Sequence, residues 1–155
     1  MYDKDHVTQV IKVILGKSLD HLGTAADKLD IVEAELSGPV INYLKIEGEL
    51  EEAAVEISHA YFRCGGPESV DLAELFEPLL ANVNSALIMF QGCFHEWKSG
   101  REPPGLTPHA CMSICQEITA ASAKITQAHD VIFDKINGLV DALREIETLR
   151  IITES

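Results

Sequence analysis

Apolar residues recur along this chain at steps of three and four. That period marks a helix with one buried face, and sustained heptad spacing marks helices packed side by side. One stripe reads Leu72, Phe76, Leu79, Val83, Ala86, Phe90, Cys93 and Trp97. A second runs Cys111, Ile114, Ile118, Ala121, Ile125, Ala128, Ile132, Ile136, Leu139, Leu143 and Ile146. The N-terminal part carries Ile11, Ile14, Ser18, Leu22, Ala25, Leu29, Val32 and Leu36, followed by Tyr43, Ile46, Leu50, Ala54, Ile57, Tyr61 and Cys64. No segment shows sustained alternation between hairpin turns, so no strand is expected.

Punctuation separates the stripes. Five of the six prolines fall at Gly38-Pro39, at Gly65-Gly66-Pro67, and at Pro103-Pro104-Gly105 with Pro108. Glycine stops a helix and proline in the first turn starts the next. Thr107, just before Pro108, has the chemistry of an N-cap. The expected helices are 4–37, 39–64, 68–99 and 108–152. Short connections between them make neighbours antiparallel. The expectation is therefore a single all-α domain over residues 1–155, an antiparallel up-down four-helix bundle of long helices with the C-terminal one longest. Gly16 and Gly23 weaken the first helix, Pro78 should kink or split the third, and Asn137-Gly138 is a point where the fourth could break. A fourth helix of about 45 residues would be ~67 Å long and would overhang the second at ~39 Å. An overhanging apolar stripe calls for a partner such as a second copy, so a homodimer is expected.

Composition narrows the partners. The net charge of −13 argues against direct nucleic-acid binding, which needs a cationic face, and against docking on anionic lipid. The longest uncharged run, Pro78 to His95, contains Pro78, Asn82, Asn84, Ser85 and Gln91 and is a poor membrane span. The first residues lack a cationic stretch followed by an apolar one, and four cysteines are too few for a disulfide framework. A reduced, cytoplasmic setting is expected.

The charge is unevenly placed. Residues 47–77 hold nine acids, Glu47, Glu49, Glu51, Glu52, Glu56, Glu68, Asp71, Glu74 and Glu77, against one base, Arg63. Such a hairpin tip is either a solubilising face or a surface whose field draws in a basic protein partner. Residues 78–125 are nearly bare, with only Glu96, Lys98, Arg101, Glu102, Glu117 and Lys124 charged. A helix uncharged all round is usually covered all round. Leu87, Phe90, Phe94, Trp97, Ile114 and Ile118 are the candidate self-association residues.

Two clusters could carry chemistry. Glu49-x-x-Glu52 and Glu68-x-x-Asp71 each place two carboxylates three apart, on one helical face, where two adjacent helices could offer four oxygens to Mg²⁺. Between Lys45 and about Ala81 this pairing resembles that of the MazG-like all-α nucleotide pyrophosphohydrolases. The resemblance implies Mg²⁺ held by Glu49, Glu52, Glu68 and Asp71, and a water activated against a nucleoside triphosphate. Cys93, His95, His109, Cys111 and Cys115 gather where the third helix ends and the fourth begins, with ligand types suited to Zn²⁺. There is no C-x-x-C, and Cys93 and Cys111 occupy stripe positions, so these cysteines read first as buried apolar residues. His6, His21, His59 and His129 are scattered.

No phosphate loop, nucleophile elbow or zincin motif occurs. The expected function is that of a non-enzymatic acidic interaction module, of inhibitor, immunity, adaptor or chaperone type, binding a basic protein without a cofactor. The alternative is the Mg²⁺-dependent pyrophosphohydrolase.

Overall fold

The computed structural model describes residues 4–64, 66, 70–100 and 106–154. Four helices account for nearly all of them: α1, Lys4–Leu36; α2, Tyr43–Arg63; α3, Val70–Ser99; and α4, Pro108–Glu154. No strand occurs among the described residues.

The ends follow local chemistry. After α1, the backbone N–H groups of Ser37 and Gly38 donate to the carbonyls of Glu33 and Glu35. α2 starts at Tyr43, four residues later than Pro39 suggests. Asn42 caps it: its side-chain oxygen accepts from the Lys45 N–H at 3.1 Å, satisfying a donor that the first turn would leave orphaned. Thr107 caps α4 in the same way, its Oγ1 accepting from Ala110 N–H at 3.1 Å. Gly100, past the end of α3, takes φ +68°, the left-handed conformation that ends many helices.

The expected breaks do not occur. α3 runs through Pro78 and α4 runs through Asn137-Gly138 for 47 residues. At 1.5 Å per residue α4 is ~70 Å long, whereas the 21 residues of α2 span ~32 Å.

Packing is cyclic. α1 meets α2 and α4, and α3 meets the same two, with no diagonal pair in contact among the described residues. Ser18 in α1 bonds the Ala60 carbonyl in α2, and Lys45 in α2 pairs with Glu35 in α1. Tyr61 stacks on Phe76 with centroids 5.0 Å apart, and Tyr43 stacks on Phe90. The core holds most of each stripe, including Leu22, Leu29, Ile46, Ile57, Leu72, Phe76, Leu79, Phe90, Ile118 and Ile132, all fully buried. Late in the stripes of α3 and α4 the buried residue moves one place along the chain. Phe94 is buried where the heptad points to Cys93, and Val140 where it points to Leu139.

The four-helix core stops where α2 ends and α3 begins, at a cavity of about 400 Å³ lined by Leu15, Cys64, Leu72, Ile132 and Leu139. Beyond it, among the described residues, only α1 and α4 continue. Val10, Val13 and Ile14 on α1, and Ile146, Leu149, Ile151 and Ile152 on α4, are exposed there.

Candidate functional site

The nine acids separate into groups. Glu49 and Glu52 turn toward α1, where the Lys28 ammonium lies 3.3 Å from one and 2.5 Å from the other. Its bond to Glu52, and then its pairing with Glu49, hold the Lys28 pKa above the usual range despite some burial. Glu56 also faces α1 and contacts His21 Nδ1. Asp71 faces the other way, 4.0 Å from Lys135 on α4. Glu68 lies outside the described residues.

The three described members of the expected Mg²⁺ set therefore do not converge. Glu49 and Glu52 point at a lysine on α1, Asp71 at one on α4. The cations that neutralise the hairpin tip come from other helices, far away in sequence, so counting Arg63 alone overstated the bare charge. Glu47, Glu51, Glu74 and Glu77 form no ion pair among the described residues, and the last three are exposed.

A groove lies between α2 and α3, and of these remaining acids Glu51 and Glu77 stand within a turn of its lining. Ala54, Val55, Ser58, Phe62, Leu80 and Asn84 line it, with His59 at its edge. Val55 is 51% exposed and Phe62 69%. Ile88, one turn beyond Asn84, is 68% exposed. Glu51 lies one turn before Val55 on α2, and Glu77 three residues before Leu80 on α3. Glu77 is also near enough to Tyr61 to add to the rise in its phenol pKa, which is caused first by burial. The result is an apolar strip on a helical surface, bordered by unneutralised carboxylates.

The self-association residues are placed differently from expectation. Phe90, Phe94, Ile114 and Ile118 are buried in the chain's own core, and Leu87 is half-buried against it. They cannot also form a surface for another copy. The side chain of Trp97 lies outside the described residues. The bare hairpin is explained by intrachain burial plus a neutral outer face, where Asn82 receives Lys124 and donates to Glu117 at 2.7 Å.

Cys93, His95, His109, Cys111 and Cys115 do not assemble as a ligand set among the described residues. The cysteines are free and half-buried, and Cys111 Sγ lies 3.8 Å from the Leu36 carbonyl. Burial, reinforced by Cys111, pushes the Cys115 thiol up to about 11. Cys93 and Cys64 are raised by burial too.

A cluster not anticipated from the sequence does form. His21 of α1 meets Glu56 and His59 of α2, with one ligand atom from each lying within 4.8 Å of the others. The two imidazole rings meet edge-on at 5.3 Å, and Arg63 Nε donates to His21 Nε2 at 3.2 Å. Glu56-x-x-His59, on one helical face, was the only local signal. His21 is 35 residues from Glu56, and only the packing of α1 on α2 joins them.

No family model matches the chain, and neither a curated protein nor a solved structure is similar to it. No helix among the described residues is long and apolar enough to cross a membrane.

Proposed function

We propose that this chain is a non-enzymatic interaction module, an antiparallel up-and-down bundle whose α2–α3 face receives a basic, amphipathic helix from a protein partner. The observation that carries this reading is the pairing of Val55, Phe62 and Ile88, all more than half exposed, with the unpaired carboxylates of Glu51, Glu74 and Glu77. A groove between two helices accepts a third helix through anchors at i, i+3, i+4 and i+7. Phe62 is the large anchor, and the acids select lysine- or arginine-bearing flanks and speed encounter. The pairwise order of contacts supports the antiparallel arrangement. Ser18 meets Ala60 while Glu35 meets Lys45, and Tyr61 meets Phe76 while Tyr43 meets Phe90.

The test uses an 18-residue amphipathic helix of leucine and lysine, with its leucine–glutamate counterpart as control. Fluorescence anisotropy should show binding of the basic peptide alone, weakening with salt. Phe62→Ala and the triple change Glu51→Gln, Glu74→Gln, Glu77→Gln should each weaken it by about tenfold, roughly 1.4 kcal/mol. Equal binding of both peptides, or variants that bind as the parent does, would rule the reading out.

The module also pairs with a second copy through the ends of α1 and α4 that outrun the core. Residues 4–17 carry Lys4, Lys12 and Lys17 against Asp5, and residues 141–154 carry Asp141, Glu145, Glu147 and Glu154 against Arg144 and Arg150. The two ends are opposite in sign, so a two-fold pair can set α1 of one copy on α4 of the other. Val10, Val13 and Ile14 on α1 and Ile146, Leu149 and Ile152 on α4 give such a pair an apolar seam.

A further inference from the structure

We propose that His21, Glu56 and His59 bind a Zn²⁺ ion that bridges α1 and α2, with Arg63 as the competing group that the ion must displace. The site borders the peptide groove at His59 but does not rest on that reading. Two imidazoles and one carboxylate are a donor set for zinc, whereas Mg²⁺ and Ca²⁺ favour oxygen alone. Each donor is anchored beside a core residue: His21 precedes Leu22, and Glu56 and His59 flank Ile57 and Ser58, with Leu22 and Ile57 fully buried. The backbones are therefore held, and the donors are already in mutual contact. Zinc bonds of ~2.0–2.1 Å require tetrahedral ligand atoms ~3.3 Å apart. The observed spread, within 4.8 Å, leaves at most about 1.5 Å to close.

Arg63 decides the metal-free state. Its Nε–H donates to His21 Nε2, so that nitrogen is the acceptor and Nδ1 carries the ring proton toward Glu56. A neutral imidazole has one proton. Glu56 lies at Nδ1, so an ion held by both residues takes that nitrogen. The ring proton then moves to Nε2 and faces the Arg63 donor, which breaks the Arg63–His21 bond, and the guanidinium charge also opposes the ion. Arg63 is exposed and can swing into water. Three protein ligands leave the fourth position to water or to a partner's side chain.

The distinguishing test is therefore the sign of the Arg63 effect. Zn²⁺ is titrated calorimetrically into chelator-treated protein, and far-UV circular dichroism checks that each variant is folded. Wild type should bind one ion per chain, with a melting temperature that rises with zinc concentration. His59→Gln, at an exposed position that tolerates change, and His21→Asn should each weaken binding by at least about tenfold. Arg63→Gln should tighten it. Cys111→Ser with Cys115→Ser should leave it unchanged, and Co²⁺ in place of Zn²⁺ should give no thiolate charge-transfer absorption. Absence of saturable binding, wild-type affinity in both histidine variants, weaker binding in Arg63→Gln, or loss of binding with the cysteines would each overturn the proposal.

Discussion

Replacing Pro78 with alanine should stabilise this protein. Pro78 is the ninth residue of the 30-residue α3, exposed, with helix on both sides. Its nitrogen has no hydrogen to donate to the carbonyl of Glu74, four residues back, and its ring crowds that carbonyl. In a helix interior, proline is about 3 kcal/mol less favourable than alanine. Against this, proline stiffens the unfolded chain, which favours the folded state by up to about 1 kcal/mol. The net gain is about 2 kcal/mol. For a domain of this size each kcal/mol moves the melting temperature by about 2–4 °C, so a rise of about 4–8 °C is expected. Urea unfolding followed by far-UV circular dichroism at one fixed protein concentration would give the free energy, and an unchanged m-value would show that the folded state is the same. A fall in stability would refute the reasoning. It would mean that a bend at Pro78 is required to keep both Leu72–Phe76 and Phe90–Phe94 in the core.

Two further outcomes follow from the geometry. Leu149→Glu with Ile152→Glu should convert a dimer to a monomer by light scattering without altering helix content, and a monomeric parent would refute pairing through the ends of α1 and α4. Cys115 has a folded pKa of about 11 against an ordinary value of 9.0. Its protonated form is favoured by the fold, so its contribution is complete below pH 9 and declines as pH rises from 9 through 11. Cys115→Ser should flatten that decline, and iodoacetamide should modify Cys115 of the native protein more slowly at pH 8 than after unfolding.

The helices themselves were legible. Stripes of period three and four need only the local helical repeat, and Thr107 caps α4 as its chemistry predicts. The errors lie in phase. A strict heptad drifts against a straight α-helix by ~20° per repeat, ~60° over the three repeats from Leu72 to Cys93. By then the core-facing residue is the next one, Phe94, and in α4 the same slip puts Val140 inside instead of Leu139. Asn42 overrode Pro39 as the start of α2 because a capped N–H is a specific bond, whereas proline only permits a start.

The candidate sites divide along the same line. Sequence alone determined that the chain is acidic, helical, segmented into four, and concentrated in charge between Glu47 and Glu77. Tertiary packing decided which of those charges remain free. Lys28 and Lys135, from α1 and α4, engage Glu49, Glu52 and Asp71, while Glu51, Glu74 and Glu77 stay unpaired beside an apolar groove. It also turned Phe90, Phe94, Ile114 and Ile118 inward and brought His21 to Glu56 and His59. The helical repeat is a property of neighbouring residues, so it is written along the chain. The partner of a side chain across the bundle depends on the rotation and register of another helix, and these are set only when the four helices close on one core.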